Sequence, residues 1–393
     1  MKARFILTIA FFLLTLGYVV WHLWRITPAA WPGKLGLAVS GKLVVAGLFV
    51  LWFLAFVAGI GFSERFSLRT ATVLYEAGSP WLIAFLYLFL LFVVADIASL
   101  CHLIPKTLLR DSAAGLVFAA TLVAFLLIAG NLHYKHKYRE ELTIETEKPL
   151  ARPLTIVLAS DLHIGYHNRQ AELVRWVDLI NAEQPDLVLF GGDIIDRSIR
   201  AVEEGGFAPE FRRIAAPVYA IPGNHEYYSD LTRAEQFYEE AGITMLRDEC
   251  LDVAGIRLIG RDDRTNASRK PLAELAELAK LGDLADLADL AEPNKPNKPN
   301  KPTEPTAFSL LLDHQPYHLE EAEQAGIDFQ FSGHTHHGQI WPGNWITDAM
   351  YEKAYGAHQR GSTRYYVTSG LGLWGGRFRI GTRSEYLVLT LHN

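Results

Sequence analysis

Residues 186–197 read DLVLFGGDIIDR, and their pattern indicates how the C-terminal part of the chain folds. An apolar run ends directly in a Gly-Gly-Asp turn, which predicts a short buried strand followed by a polar loop. The same pattern occurs at four further places, namely Thr155–Ser160 before Asp161, Val218–Ile221 before Asn224, Phe308–Leu312 before Asp313, and Phe329–Phe331 before His334. Apolar residues at helical spacing over Arg169–Ala182 separate the first two strands. Strands that alternate with helices predict an α/β layered domain.

Each of these five predicted strands ends in a polar cluster. The clusters are Asp161-Leu-His163, Gly192-Asp193-Ile-Ile-Asp196-Arg197, Gly223-Asn224-His225-Glu226, Asp313-His314 and Gly333-His334-Thr-His336. One such cluster alone is commonly a turn, but five in order at the carboxyl ends of strands, where sites assemble in open sheets, predict a metal site. Carboxylate, imidazole and amide groups suit Mn, Fe, Zn or Ni. One bridging carboxylate would hold two such ions about 3.5–4 Å apart.

The order of these motifs resembles that of the calcineurin-like metallophosphoesterase superfamily over roughly residues 150–393. The Ser-Asp-Leu-His and Ser-Gly-His-Thr-His segments and Gly370-Leu371-Gly372 are similar to its bacterial membrane-anchored branch. The resemblance implies a four-layer αββα sandwich that holds two divalent metal ions. It also implies the ligands of each ion, which are Asp161, His163, Asp193 and His336 for one, and Asp193, Asn224, His314 and His334 for the other.

The resemblance further implies a mechanism, in which a hydroxide between the two ions attacks phosphorus and His225 protonates the leaving group. Asp196 matches the residue that orients this histidine, and Arg197 matches a phosphate-binding arginine that many relatives lack. Asp313 departs from the branch, which usually has Ser-His-x-Pro here, and it would either tune the basicity of the next histidine or cap a turn. We interpret His337 as a surface histidine rather than a substrate contact.

The N-terminal part of the chain has the composition of a membrane domain. Four runs of 20 to 24 residues carry at most one charge each, and they are Phe5–Trp24, Leu43–Phe62, Trp81–Ile104 and Ala113–Leu132. About 20 apolar residues span a bilayer as a helix, and these runs lack the polar face of a soluble bundle. We predict a four-helix transmembrane domain at residues 1–134, whose first helix is too long in its apolar core to be a cleaved signal peptide.

Two features of this domain bear on orientation and function. The segments on the N-terminal side carry seven Lys or Arg residues and those on the other side five, which favours a bacterial inner-membrane protein with a cytoplasmic catalytic domain. Asp96 is the one acid within a predicted span, and such acids are functional candidates. No basic residue or second acid lies in the spans, so we favour an architectural carboxylate hydrogen-bonded to a neighbouring helix.

The rest of the chain divides into a polar connector at residues 135–152 and the phosphoesterase-like domain at residues 153–393. A low-complexity insert at about residues 271–306 interrupts this domain. Leu-Ala-Glu/Asp repeats predict a helix over 271–291, whereas the Asn-Lys-Pro repeats of 292–306 predict a disordered loop.

Composition excludes several classes of protein. The chain has 393 residues, a net charge of −6 and two cysteines. An acidic balance argues against nucleic acid as a partner, and two distant cysteines exclude a disulfide scaffold or a cysteine-rich zinc site.

The sequence therefore predicts an integral-membrane metallophosphoesterase that cleaves a phosphodiester or pyrophosphate bond. The membrane domain makes a lipid-linked phosphorylated substrate plausible, and Trp341, Trp345 and Trp374 could rim a lipid-facing cleft, although core packing is the usual role of tryptophan. The alternative is a membrane sensor or scaffold whose phosphoesterase domain binds a phosphorylated ligand without turnover. The sequence gives neither the metal identity nor the oligomeric state.

Overall fold

The computed structural model describes residues 2–28, 40–278 and 307–393. The chain divides into two compact units, Met1–Leu132 and His133–Asn393. Among the described residues of the first unit, five α-helices begin, namely α1 Lys2–Ile26, α2 Gly41–Gly61, α3 Leu68–Gly78, α4 Pro80–Leu100 and α5 Ala113–Lys135.

Four segments of these helices are long and apolar enough to cross a membrane. They are Ile6–Ile26, Gly41–Gly61, Leu68–Leu100 and Ala113–Lys135. The predicted number is confirmed, but the third segment begins before the predicted Trp81. Helix α3 carries Arg69 and Glu76, which interrupt the apolar run in the sequence, and Pro80 then begins α4 at the position where a helix tolerates proline.

Asp96 has polar partners on another helix, as the architectural interpretation expects. The Tyr18 hydroxyl donates to Asp96 Oδ2 over 2.9 Å, and His22 Nε2 lies 3.0 Å from the same oxygen. The His22 ring is buried and stacks on Phe92 with centroids 4.7 Å apart. The architectural interpretation itself remains a prediction.

The second unit contains two six-stranded sheets. The first has the strand order β1-β12-β2-β3-β4-β5 and the second β10-β11-β9-β8-β7-β6. The strands are β1 Lys137–Glu145, β2 Leu154–Ala159, β3 Leu187–Phe190, β4 Val218–Ala220, β5 Ile243–Met245, β6 Glu249–Val253, β7 Ile256–Gly260, β8 Phe308–Leu312, β9 Phe329–Ser332, β10 Gly356–Arg360, β11 Thr363–Val367 and β12 Ser384–His392. The helices are α6 Gln170–Ala182, α7 Ile199–Glu203, α8 Ala208–Phe211, α9 Asn224–Ser229, α10 Leu231–Ala241, α11 Leu319–Ala325 and α12 Gly343–Met350.

The buried side chains arrange these sheets and helices in four layers. Alternate residues of β2 belong to different cores, because successive side chains of a strand point to opposite faces. Val157 packs with the helices that cover the first sheet, whereas Ile156 packs with Leu310 of the second sheet. Leu311 faces the other way and packs with Leu319 of α11. The predicted αββα sandwich is confirmed. The first sheet is mixed because β12 pairs antiparallel with β2, and the second because β10 pairs antiparallel with β11 and β6 with β7.

The segment interpreted as a connector at residues 135–152 contains a strand instead. Strand β1 pairs in parallel with β12 along its whole length, from Lys137↔Ser384 to Glu145↔His392. It lies at the edge of the sheet and buries only Ile144 fully. An edge strand with so many charged residues resembles a linker in sequence, so its place became visible only through its pairing.

The start of the predicted insert packs into the core of the second unit. Residues 272–278 are helical, in agreement with the prediction for that part. Leu272 and Leu275 are buried and pack with Leu311 and Ile327, so these residues belong to the core beside the second sheet. The predicted Asn-Lys-Pro loop lies outside the described residues.

Candidate metal centre

The carboxyl ends of five strands bring the predicted site residues to one edge of the sandwich. Strands β2, β3 and β4 are parallel neighbours in the first sheet, and β8 and β9 are parallel neighbours in the second. The loops after β2 and β3 run side by side, because Asp161 N donates to Gly192 O and His163 N to Asp193 O, both over 3.0 Å. Between the sheets, His334 N donates to both Asp161 carboxylate oxygens over 3.1 Å.

One group of side chains at this edge consists of Asp161, His163 and His336. One potential ligand atom from each lies within 4.8 Å of the others. His336 Nε2 is 3.3 Å from Asp161 Oδ1 and 3.1 Å from His163 Nε2. All three side chains are buried, so two imidazoles and a carboxylate face one another where water is excluded. A shared cation is the arrangement that satisfies these atoms together.

A second group consists of Asp193, His314 and His334, again within 4.8 Å of one another. His314 Nε2 is 3.2 Å from Asp193 Oδ2, and Asn224 Oδ1 is 2.9 Å from His334 Nδ1. The same Asp193 oxygen lies 3.7 Å from His163 Nε2 of the first group. Asp193 therefore stands between the two groups, where a bridging carboxylate would have to be.

The free ring nitrogen of His314 shows whether the site suits metal ions. His314 Nδ1 donates to Gly191 O over 2.7 Å, which leaves its Nε2 as the lone-pair nitrogen. That Nε2 is buried and has no hydrogen-bond partner. A backbone bond to one ring nitrogen that turns the other toward the centre is the usual setting of a metal-binding histidine. The residues fit two divalent cations.

The backbone at the site is held in an unusual conformation. Asp161, His163, Asp193, His334 and His336 all have left-handed φ values, between 46° and 69°. Such conformations cost of order 1–3 kcal/mol for a residue with a side chain and cluster at functional sites. Five of the seven predicted ligands share this feature, so the surrounding loops fix the direction of their side chains at the expense of local strain.

Two motif glycines are required by close approach rather than by flexibility. A Cβ atom at Gly223 would lie 2.2 Å from Asp193 Oδ1. A Cβ at Gly333 would lie 2.2 Å from Ser160 Oγ and 2.3 Å from Asp161 Oδ2. The two carboxylates thus lie against bare backbone, which explains why glycine precedes Asn224 and His334 in their motifs.

Glu226 holds two of the loops together, a role that the sequence did not indicate. Its Oε2 accepts from Asp193 N over 3.1 Å and from Gly223 N over 2.7 Å. Its Oε1 accepts from Ile195 N over 3.0 Å and from the Tyr238 hydroxyl over 2.8 Å. The side chain is fully buried. One pattern in the sequence could have indicated this role: Glu226 lies three residues after Gly223, which is the spacing of a capping box at the start of α9.

Asp196 lies among three histidines rather than beside His225 alone. Its backbone oxygen accepts from His225 Nδ1, while its carboxylate lies 3.7 Å from that nitrogen and 3.4 Å from His163 Nδ1. His167, which sequence analysis missed, is 3.8 Å away on the other carboxylate oxygen. Burial acts to raise the pKa of Asp196, but His163 and the other imidazoles lower it to about 2. An ionised Asp196 thus faces the outer nitrogen of His163 as well as His225.

Burial and neighbouring charges shift the pKa values of the cluster in opposite directions. Burial lowers the pKa of His334 to about 4. Burial acts in the same sense on His163, but the carboxylates of Asp161 and Asp196 raise the pKa of this imidazole to about 10. Burial acts to raise the pKa of Asp193, and the imidazoles around it lower that pKa well below its usual value. The bridging candidate therefore stays ionised, and perturbations of this size are typical of functional sites.

Three further sequence predictions have different outcomes. Arg197 is exposed, and no described residue makes an ion pair or hydrogen bond with it, so its role remains a prediction. Asp313 is buried and accepts from Arg261 Nη1 over 3.0 Å and from Arg269 Nη1 over 3.2 Å. It neither caps a turn nor contacts the outer nitrogen of the neighbouring histidine. The His337 side chain is partly exposed, and its ring stacks on Tyr355 with centroids 4.5 Å apart, so the surface interpretation remains a prediction.

Arg379 is a second buried residue that sequence analysis missed. Its Nη1 donates to His336 O over 2.6 Å, and its Nη2 donates to Ser369 O. Nε donates to Ser384 Oγ at the start of β12 over 3.2 Å. Burial lowers the pKa of this guanidinium to about 10. Arg379 therefore joins the loop of a predicted ligand to the C-terminal strand.

Comparison with known proteins agrees with this geometry. Residues 154–338 match the family model described as calcineurin-like phosphoesterase. A Helicobacter pylori (strain J99) protein described as an uncharacterised metallophosphoesterase is 31% identical over 245 residues, which cover 62% of this chain and 60% of that protein. A Bacillus subtilis (strain 168) protein with the same description is 29% identical over 287 residues, 69% of this chain and 93% of that protein.

A similar protein of Bos taurus is named a transmembrane protein with metallophosphoesterase domain. It is 29% identical over 256 residues, which cover 64% of this chain and 56% of that protein. The chain thus spans about 60% of the length of the Helicobacter relative and less of the bovine one. Residues 154–338 are thus similar to a calcineurin-like phosphoesterase domain, and the described helices include segments that can cross a membrane.

Proposed function

We propose that this calcineurin-like domain is a dinuclear-metal phosphohydrolase that cleaves a phosphodiester or pyrophosphate bond of a membrane-presented substrate. Asp161, His163, Asp193 and His336 would hold one divalent cation, and Asp193, Asn224, His314 and His334 the other. The position of Asp193 carries the proposal, because its Oδ2 lies 3.7 Å from His163 Nε2 and 3.2 Å from His314 Nε2.

The roles of the chain's own groups follow from their contacts. When bound, the two cations supply a hydroxide near neutral pH and neutralise charge on the phosphoryl oxygens. His225 Nδ1–H donates a hydrogen bond to Asp196 O. This leaves Nε2 of the protonated imidazole as the nitrogen that would donate a proton to the leaving oxygen. Arg197, exposed beside this pair, would bind a phosphoryl oxygen. His225 also anchors Asp193, but it does so through its backbone N–H over 2.9 Å rather than through its ring.

This division between backbone and side chain makes a sharp test. His225→Ala keeps the backbone bond to Asp193, so both metals should stay bound while turnover falls by roughly 10²–10⁴-fold. Asp193→Asn removes the bridging charge, so turnover and metal stoichiometry should fall together. Asp178→Asn is the matched control, because Asp178 is an exposed aspartate of α6. Loss of metal in His225→Ala would remove the leaving-group assignment.

The assay uses the full chain in detergent with added Mn²⁺, because β1 begins at Lys137 and a shorter soluble fragment risks cutting the first sheet. Hydrolysis of bis(p-nitrophenyl) phosphate is compared with that of p-nitrophenyl phosphate, and bound metal is counted by elemental analysis. Diester cleavage that depends on Asp193 supports the proposal. Two bound metals without turnover of these or of lipid-linked pyrophosphates would refute it in favour of the sensor alternative.

The location of the domain is part of the proposal. We infer an inner-membrane protein whose catalytic domain faces the cytoplasm, because seven of the flanking Lys and Arg residues lie on that side and five on the other. A reporter enzyme fused after Asn393 that is active only in the cytoplasm would support this orientation. A reporter active only outside the membrane would reverse it.

A further inference from the structure

Helix α12 presents its apolar side to the solvent. It begins seven residues after His336, and none of its residues is buried. Trp345, Ile346 and Met350 are 61–63% exposed. At about 100° per residue, these three side chains and Ala349 occupy one continuous arc of roughly 140°. The outward face of a surface helix is normally its polar face, so α12 has the reverse arrangement.

Two further tryptophans are exposed on loops linked to this helix. Trp341 is 40% exposed and its ring packs edge-on against Trp345, with centroids 5.3 Å apart. Trp374 is 44% exposed, and its carbonyl accepts from Gln339 Nε2 over 3.2 Å. The default expectation of core packing for these tryptophans is therefore wrong. We define the tryptophan surface as Trp341, Trp345, Ile346, Met350 and Trp374.

The tryptophan surface is fixed to the loops of the candidate metal centre. Trp341 N donates to Ile380 O over 2.7 Å, next to the buried Arg379 that binds His336 O. On the other side, His337 Nε2 lies 3.6 Å from Asp348 of α12. An apolar surface on a rigid support, adjacent to a site, marks a contact with a partner rather than a loose segment.

The chemistry of this surface favours one partner. Tryptophan prefers the interfacial layer of a bilayer, where its ring is apolar and its N–H stays near water. An amphipathic helix with tryptophan and isoleucine on one face binds in that layer. The same chain carries four segments that can cross a membrane, and segments that do so would tether this domain to a bilayer. We propose that the tryptophan surface inserts into the interfacial layer of a phospholipid bilayer.

The consequence of docking for catalysis rests on the proposed function. Lipid phosphates lie at the depth where interfacial tryptophans bind. Docking through the tryptophan surface would therefore present phosphate groups of lipids or lipid-linked substrates to the loops of His334 and His336. The docking itself needs no turnover, so it can be tested separately.

The test measures contact between α12 and lipid in the full chain reconstituted in phosphatidylethanolamine–phosphatidylglycerol vesicles. Cys101→Ser and Cys250→Ser remove the native thiols, and Ile346→Cys carries an environment-sensitive nitrobenzoxadiazole label. Glu239→Cys, an exposed position of α10, is the matched control. We expect the label at 346, and not at 239, to emit at shorter wavelength and to be quenched by lipids spin-labelled at shallow depth.

Met350→Cys serves as a second reporter in case the first variant folds poorly, and circular dichroism checks the fold of each. Equal emission at the two positions without lipid quenching would overturn the proposal. A shift to shorter wavelength without quenching by spin-labelled lipid would also overturn it, because a second copy of the chain would then cover the surface. Quenching in a chain without turnover would support docking and refute only the proposed function.

Discussion

Replacement of Glu226 by glutamine should damage the candidate metal centre without touching a predicted ligand. The Glu226 carboxylate accepts four hydrogen bonds, three of them from backbone N–H groups of the loops that carry Asp193 and Asn224. A glutamine amide keeps one acceptor oxygen, which can serve Asp193 N and Gly223 N. The amide NH₂ group then takes the place of Oε1 and can donate to the Tyr238 hydroxyl oxygen. The backbone N–H of Ile195, which donates to Oε1 in the wild type, loses its acceptor.

The size of the effect follows from that one lost acceptor. A buried donor left without a partner costs about 1–3 kcal/mol, and for a domain of this size each kcal/mol lowers the melting temperature by roughly 2–4 °C. Glu226→Ala leaves all four donors without their acceptor and should cost more than Glu226→Gln. Because these donors position Asp193, we expect metal stoichiometry and diester hydrolysis to fall in the same order.

The assays are thermal unfolding, metal counting and bis(p-nitrophenyl) phosphate hydrolysis on the full chain. Glu239→Gln, an exposed glutamate of α10, is the control and should leave all three unchanged. The reasoning fails if Glu226→Gln matches the wild type in melting temperature, bound metal and turnover. It also fails if Glu226→Ala is no worse than Glu226→Gln, because the number of donors would then not matter.

Three further predictions concern other parts of the molecule. Gly223→Ala places a Cβ 2.2 Å from Asp193 Oδ1 and should reduce the amount of bound metal. Gly61→Ala, where a Cβ meets open space, is the control and should bind as much metal as the wild type. Equal metal counts in the two variants would contradict the prediction. Burial raises the pKa of the Glu385 carboxyl, so the folded state keeps this group protonated at pH values where the unfolded chain has lost the proton. The free energy of unfolding should therefore fall as pH rises through the raised pKa. Glu385→Gln should flatten that pH dependence, measured by urea unfolding at pH 4–7. Tyr18→Phe removes the hydrogen bond from the Tyr18 hydroxyl to Asp96. It should lower the free energy of unfolding in detergent by about 0.6 kcal/mol. An unchanged melting temperature would contradict this value.

Local patterns made most of the site predictable. The apolar runs before Asp161, Asp193, Asn224 and His334 are short, continuous and followed at once by polar residues. Strands buried on both faces have this composition, and parallel strands share one carboxyl edge. The grouping of their polar residues follows from that geometry alone, so no knowledge of side-chain packing was needed.

Side-chain partners were much harder to predict. Asp313 pairs with two arginines, and His22 shares the carboxylate of Asp96, through contacts between residues far apart in the chain. A hydrogen bond depends on ångström-scale placement, and sequence spacing gives no such placement between distant segments. For the same reason, the donors around the Glu226 carboxylate became visible only in the structure.

The layered α/β class, the apolar helices that can cross a membrane, and the residues that gather at the sheet edge were all predictable from the amino-acid sequence. Periodicity and composition fix these features because each depends on a few consecutive residues. Three other features became visible in the folded chain: residues 137–145 form an edge strand, Asp196 lies among three histidines, and α12 turns its tryptophan and isoleucine outward. These features depend on which surfaces the rest of the chain covers, and burial is a property of the whole fold.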